Sequence, residues 1–270
     1  MQIFIISITG TTRISTNTLQ LIQTVEKHGG QVHWVGDKKS NKELFLNNEF
    51  EIAEFITGGP VSSGEIGCLL NHQDVYRRIV GLNLPNAIVL EDDADLVIPF
   101  TQLVKIIKEC ENSRFDLINF NSTTGGVLMG KDNDNIFKSL VPCLSAFSYW
   151  ISISGAKTLL AKNYYLGLAD WPISVYKINS AATAKNIFEH GNALSLIGPT
   201  LDENAHKRTN LVYRPIFQIF SYKNSKILFK LVSEIGLVLF FKAILYIRIV
   251  KRISKIYRGN ESNLTVTYFT

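Results

Sequence analysis

The chain reads as an α/β protein on a mostly parallel central sheet, and three features of the sequence predict it. A strand-like segment, a helix-like segment and a second strand-like segment follow one another at the N-terminus, the order of a βαβ unit. Ala87-Ile88-Val89-Leu90 is an apolar run with β-branched residues and no internal turn signal, with Pro85 just ahead of it, and fits a buried strand. That run passes straight into Glu91-Asp92-Asp93-Ala94-Asp95, which carries four carboxylates in five positions. The acids therefore sit at the strand's carboxyl end, where open α/β sheets hold their ligands. Hard oxygen donors in that place suit Mg2+ or Mn2+, bound through one or two carboxylates with water and phosphate oxygens completing the shell. A solvated acidic turn is the competing reading.

Taken in order, Gln2–Ile8 reads as the first strand, Asn17–Lys27 as a helix ended by Gly29-Gly30, and Gln31–Val35 as the second strand. Residues 36–63 are polar, with short apolar pieces and a Gly58-Gly59-Pro60 turn, and form a connection with room for one short helix. Ser62 or Ser63 opens the next helix. Glu65 follows Ser62 at capping-box spacing, and the helix runs through His72 and Tyr76 to Val80, stopping near Gly81. Beyond the acidic loop, Phe100–Glu111 is helical and Phe115–Asn121 is a strand. Val127–Met129 and Ile136–Leu140 form a hairpin around Asp132-Asn133-Asp134. Phe147–Ile153 is a further strand and Gly155–Lys162 a helix. With no internal repeat and no low-complexity linker, the economical division is a catalytic domain over 1–210 and a basic C-terminal segment over 211–270.

At 270 residues and 46% hydrophobic, the chain has enough apolar surface for a full core. Its three cysteines, Cys68, Cys110 and Cys143, are too few and too scattered for a disulfide framework, so they read as core thiols in a reducing compartment. Met1 to Ile8 lacks a basic n-region and a small-residue cleavage site, and reads as a strand rather than a signal peptide. The net charge of +5 is unevenly placed, since residues 211–260 hold ten Lys or Arg and one acid, Glu234, leaving the rest of the chain at −4. At ~100° per residue, Lys223, Lys226, Lys230, Glu234, Arg248, Lys251, Arg252 and Lys255 fall on one stripe of a helix, with Lys242 the exception. Leu231, Val232, Ile235, Val238 and Leu239 lie off that stripe. Glu234 and Lys242 interrupt the run before it reaches the roughly 18 residues of a span, so the helix should lie on an anionic membrane rather than cross it. Each basic residue near such a leaflet contributes about 1 kcal/mol. The competing reading is an amphipathic helix packed on the core. Nucleic acid is not expected as a partner, because the basic residues alternate with aliphatic ones and few aromatics stand beside them to stack on bases.

Gly64-Glu65-Ile66-Gly67-Cys68-Leu69-Leu70-Asn71-His72, followed after one helix by Leu84-Pro85-Asn86-Ala87-Ile88-Val89-Leu90-Glu91-Asp92-Asp93-Ala94, resembles the signature of glycosyltransferase family 25. That family includes bacterial lipooligosaccharide galactosyltransferases. Trp150-Ile151-Ser152-Ile153-Ser154-Gly155-Ala156-Lys157 is similar to the family's serine, glycine-alanine and lysine segment leading into a helix. The sequence departs from the pattern at Asn71, where serine is common, and in a thin basic loop at Thr11-Thr12-Arg13. The resemblance implies a GT-A fold, a Rossmann-like nucleotide-sugar-binding sandwich, with a divalent cation and transfer with inversion. It also implies UDP-galactose as donor and a lipooligosaccharide or other lipid-linked glycan as acceptor.

Residue chemistry points the same way. A nucleotide-sugar donor leaves as a diphosphate, whose developing charge must be neutralised. Asp93 and Asp95, at i, i+2, face one side of an extended segment and are the expected metal ligands, with Glu91 and Asp93 as the alternative pair. Asp92 faces away, toward the ribose or a supporting donor. Ser7, Thr9 and Arg13 follow the first strand at the rim where a uracil and ribose would lie, and Glu65, His72 and Glu91 are counted with them at the donor site. His72 reads equally as a satisfied core residue, and Arg13 as a surface charge. Asp170 is the candidate general base, with Trp171 beside it as a face for sugar stacking. Asp170 also reads as a helix N-cap ahead of Pro172. His190 and His206 are the candidates for a histidine ligand, and His206, followed by Lys207-Arg208, is retained.

The sequence therefore predicts an inverting, Mn2+- or Mg2+-dependent hexosyltransferase, a β-galactosyltransferase in the first instance, peripheral on the inner face of the cytoplasmic membrane. Transfer of glucose or another UDP-sugar is one alternative, and a catalytically degenerate membrane-associated binding module is another. A phosphoesterase would need further histidine and aspartate ligand motifs, and a nucleotidyltransferase would need a glycine-rich phosphate loop near the N-terminus. Neither is present in the sequence.

Overall fold

The computed structural model describes residues 1–7, 14–36, 63–121, 127–133, 135–141, 146–160 and 171–191, together with Phe229, Val232, Gly236 and Leu237. The elements in chain order are β1 (Gln2–Ile6), α1 (Thr16–Lys27), β2 (Gln31–Val35), α2 (Ser63–Gly81), β3 (Asn86–Glu91), β4 (Ala94–Leu96), α3 (Phe100–Glu111), β5 (Leu117–Asn119), β6 (Val127–Lys131), β7 (Ile136–Val141), β8 (Ser148–Ser152), α4 (Ile153–Leu160), a 3-10 helix (Ile173–Lys177), β9 (Ser180–Thr183) and β10 (Phe188–His190). Eight strands form one sheet in the order β2-β1-β3-β8-β5-β9-β7-β6, and β10 and β4 form a separate antiparallel pair. In the large sheet β1 runs parallel to β2 and β3, and β5 runs parallel to β9. β8 and β7 run against their neighbours, so the other strands share one direction and the sheet is mostly parallel, as the sequence predicts.

Strand residues alternate between two cores because successive side chains leave opposite faces of a sheet. Phe4, Ile6, Val89, Leu117, Tyr149 and Ile151 pack on one face with Val75, Tyr76 and Ile79 of α2 and Ala156 and Leu159 of α4. Ile3, Ile5, Ile88, Leu90, Ile118 and Trp150 pack on the other with Leu21, Ile22 and Val25 of α1 and Leu103, Ile106 and Ile107 of α3. With helices on both faces, the central strands are apolar throughout rather than alternating, which is why Ala87–Leu90 is a continuous hydrophobic run. Cys68 and Cys110 are buried thiols, as expected of core cysteines. Burial pushes the Cys110 thiol far up, with Glu109 and Glu111 adding to the shift.

Helix α1 begins at Thr16 because Ser15 caps it, its Oγ accepting from the Thr18 N–H at 3.1 Å. Helix α4 begins at Ile153, two residues before the expected start. Ser152 Oγ accepts from Gly155 N at 3.0 Å and donates to Asp116 Oδ1 at 2.9 Å, capping the helix and tying it to the chain entering β5. Strands β4, β9 and β10 were not expected. They are three or four residues long, and β9 is Ser-Ala-Ala-Thr, whose small buried residues carry no strand periodicity of their own. The hairpin of β6 and β7 is antiparallel as expected, with register irregularities at Leu128.

Two expectations are corrected. Trp171 is buried, 2% exposed, with its ring 5.0 Å from that of Tyr149, so its face belongs to the core and is closed to a sugar. In the C-terminal segment Gly236 has φ +81°, and its N–H donates to Val232 O at 2.8 Å. That left-handed conformation ends a helical turn, so a single unbroken helix from 223 to 255 does not form. Val232 packs against the core of β1, β3 and α2, while Phe229 and Leu237 are exposed. The basic stripe itself, the 37–62 connection and Cys143 lie outside the described residues. Among the described residues no helix is long and apolar enough to cross a membrane.

A Cβ at Gly155 would stand 2.6 Å from the Asp116 carbonyl oxygen. Alanine there gains up to about 1 kcal/mol of helix propensity, but the overpacking costs typically ~1–3 kcal/mol. Gly155→Ala should therefore lower the unfolding free energy, read as an earlier urea midpoint. Unchanged or raised stability would mean that α4 can slide off the chain entering β5.

Candidate active site

The parallel strands β1 and β3 end side by side, so Ser7 and the acidic turn emerge together at the carboxyl edge of the sheet. Residues 92–93 form a turn between β3 and β4, and the segment is not extended through its acids. The i, i+2 argument for a shared face therefore does not hold, and each carboxylate takes a different partner.

Asp92 is buried, 4% exposed, and Ser7 Oγ donates to its Oδ2 at 2.9 Å. Ser7, expected at the donor, thus ties the end of β1 to the acidic turn. Asp95 is turned to α1, where Ser15 Oγ donates to its Oδ1 at 2.6 Å, and Thr18 Oγ1 donates to the Ala94 carbonyl beside it at 2.5 Å. Those bonds join the N-terminus of α1 to β4 and engage Asp95 structurally. Asp93 points instead toward β10, its Oδ2 lying 3.5 Å from His190 Nδ1. The Gly191 N–H, just after β10, donates to the Asp93 carbonyl at 2.6 Å, and the His190 ring packs 3.9 Å from the Phe147 ring, so the end of β10 is fastened to the turn.

Glu91, the last residue of β3, reaches in the direction of α2. Its Oε1 lies 3.2 Å from His72 Nε2, and Cys68 Sγ donates to the same oxygen at 3.7 Å. His72 is fully buried, and its Nδ1 lies 2.9 Å from the Tyr149 hydroxyl, which donates to the Tyr76 hydroxyl at 3.1 Å. Burial, reinforced by Tyr76, holds the Tyr149 phenol well above its ordinary range, so it stays protonated and can bond. His72 is therefore an internal residue that orients Glu91, the acidic-loop role with the burial of a core histidine.

The geometry brings together Ser7, Asp92, Asp93 and His190 at the edge, with Glu91, His72 and Cys68 behind them. His190 is the residue that sequence reasoning weighed and set aside in favour of His206. Its signal was weak because β10 is three residues long and gains its place by pairing with β4, His190 standing opposite Ala94. Thr9, Arg13, Asp170 and His206 lie outside the described residues, as does the side chain of Glu65. The 3-10 helix Ile173–Lys177 has Pro172 at its N-cap position.

Among the described residues, the Asp93 carboxylate and the His190 imidazole are the donors that would hold a divalent ion at this edge. An oxygen and a nitrogen already facing each other at 3.5 Å make a set acceptable to Mn2+. An ion held by two protein ligands keeps its other positions for phosphate oxygens and water.

The family model for glycosyltransferase family 25 (LPS biosynthesis protein) matches residues 1–170. The chain belongs to that family. A glycosyltransferase 25 family member of Aedes aegypti is 31% identical over 110 residues, 37% of this chain and 17% of that protein. Procollagen galactosyltransferase 1 of Danio rerio is 31% identical over 111 residues, 38% of this chain and 18% of that protein. A Bos taurus protein named probable inactive glycosyltransferase 25 family member 3 is 28% identical over 114 residues, 39% of this chain and 18% of that protein. The chain thus spans less than a fifth of the length of these relatives.

Removing the Ser7 hydroxyl takes a donor from a buried carboxylate, a loss worth about 1–3 kcal/mol. Ser7→Ala should lower the unfolding free energy by that amount, read as an earlier urea midpoint, and Ser7→Ala with Asp92→Asn should lose less than the sum of the two single changes. Additive losses would show that the two side chains do not act on each other.

Proposed function

We propose that this protein is a glycosyltransferase that moves a hexose from a nucleotide-sugar donor to a glycan acceptor. The observation that carries this reading is the acidic turn at the carboxyl edge of β3, with His190 brought against Asp93, in a chain of family 25. Asp93 and His190 would hold the ion, which when bound neutralises charge on the departing diphosphate. Ser7 and Asp92 hold the turn rigid against the end of β1, so the ligands need not reorganise when donor arrives. Glu91, fixed by His72, supplies a carboxylate whose side chain is 20% exposed, available to a donor hydroxyl. Asp170 would take the acceptor hydroxyl's proton while the anomeric carbon is attacked from the face opposite the leaving group, giving inversion.

The proposed donor is UDP-galactose, in keeping with the resemblance and with relatives named galactosyltransferases, and UDP-glucose is the competitor, since one hydroxyl separates them. The proposed acceptor is a lipid-linked oligosaccharide on the inner face of the cytoplasmic membrane, reached through the basic residues of the C-terminal segment. A second reading, a binding module without transfer, is favoured by the relative whose name calls it probably inactive.

The test is a panel of UDP-sugars with Mn2+, read first as thermal stabilisation with and without chelator and then as transfer. One donor should stabilise the protein only with metal. Asp93→Asn should lower transfer by about 10²-fold or more, as several kcal/mol of charge stabilisation is lost, with a smaller loss for His190→Ala. Asp170→Asn should keep donor binding and lose transfer. Donor binding without transfer in the wild type would favour the module, and no binding would overturn the class. For the membrane, Lys226, Lys230, Lys251 and Lys255 changed together to Gln should abolish binding to anionic vesicles, and unchanged binding would refute it. Truncation would not serve, because Val232 is part of the core packing.

A further inference from the structure

Behind the edge of the sheet three metal-binding side chains converge. Cys68 and His72 stand four residues apart on α2 and so share one face of the helix, and Glu91 meets them from the end of β3. The Cys68 sulfur lies 3.7 Å and His72 Nε2 3.2 Å from Glu91 Oε1, and the three donor atoms all lie within 4.8 Å of one another. Zinc bonds of about 2.3 Å to sulfur and 2.0–2.1 Å to nitrogen and oxygen, at tetrahedral angles, set donors roughly 3.3–3.7 Å apart. The sulfur–oxygen edge lies within that range and the nitrogen–oxygen edge just below it, so two edges of the triangle are already close to those of a zinc polyhedron.

The surroundings fit as well. The other imidazole nitrogen of His72 is held by the Tyr149 hydroxyl, itself bonded to Tyr76, which is the outer bond that fixes the ring of a metal-ligating histidine. Cys68 and His72 are buried, and the Glu91 side chain is 20% exposed, so among the described residues a fourth position opens on the Glu91 side. A histidine–carboxylate hydrogen bond accounts for the 3.2 Å edge but does not call for a sulfur one helical turn away aimed at the same oxygen.

We propose that Cys68, His72 and Glu91 form a zinc site, separate from the ion at Asp93 and His190. A thiolate ligand selects Zn2+ or Co2+ over Mg2+ and Mn2+, which the oxygen-rich edge prefers. On binding, the Cys68 S–H bond breaks, its proton goes to solvent and the sulfur lone pair forms the bond to the metal. The ion ties α2 to the end of β3 and fixes the base of the acidic turn. The site does not depend on the reading of the chain as a transferase.

The probe is Co2+ added to the full-length, chelator-treated and reduced protein. A thiolate-to-cobalt charge-transfer band should grow to one ion per chain, vanish in Cys68→Ser and persist in Asp93→Asn, since an ion at Asp93 and His190 has no sulfur ligand. No band in the wild type, a band surviving Cys68→Ser, or a band lost in Asp93→Asn would each overturn the proposal. A second measurement needs no variant: Zn2+ should slow iodoacetamide labelling of Cys68 at least about tenfold, read by peptide mass. Unchanged labelling would overturn it equally.

Discussion

The structure turns on what happens where β3 ends. The strand is buried on both faces and runs directly into consecutive carboxylates, and a buried carboxylate without partners costs several kcal/mol. Each acid is met by a group from a different part of the chain: His72 of α2 at Glu91, Ser7 after β1 at Asp92, His190 of β10 at Asp93, and the cap residue Ser15 of α1 at Asp95. The requirement to satisfy these acids thus cross-links elements from both layers of helices. It also fixes the direction of these four carboxylates before any ligand arrives.

That economy explains the division of labour among chemically similar residues. Asp92 and Asp95 are committed to holding the turn, by short hydrogen bonds to serine hydroxyls. Glu91 is braced from behind by a chain of ring contacts and hydrogen bonds, with His72 and Tyr149 stacked at 5.8 Å between their centroids. Asp93 lies against His190, whose side chain is half exposed. Carboxylates set on strand ends and braced by a buried aromatic layer are held in place by packing rather than by their own loop.

Much of the scaffold was legible in the sequence because its long elements carry their own periodicity. Helices over 16–27, 63–81 and 100–111 and the strand at 86–91 follow from apolar spacing, a capping serine and a proline at a boundary. The short strands were not legible. Ser180–Thr183 becomes a strand because β5 and β7 flank it, and Phe188–His190 because β4 is there to pair with it. A three- or four-residue segment has too little pattern to declare itself, and its pairing energy comes from neighbours distant in sequence.

The sequence by itself determined that a buried strand would deliver a group of carboxylates to a sheet edge, and which family motif surrounds them. The hydrophobic run, the acids and the Cys68–His72 spacing are all local. Tertiary structure decided which acid does what. Spacing in an extended chain paired Asp93 with Asp95, but the turn at 92–93 sends one to His190 and the other to Ser15. It also closed Trp171 into the core and set a break at Gly236 in what periodicity drew as one helix. Local pattern reports how a residue sits on its own element, whereas partners are chosen by packing between elements, and the cost of leaving a buried charge unmet makes that choice decisive.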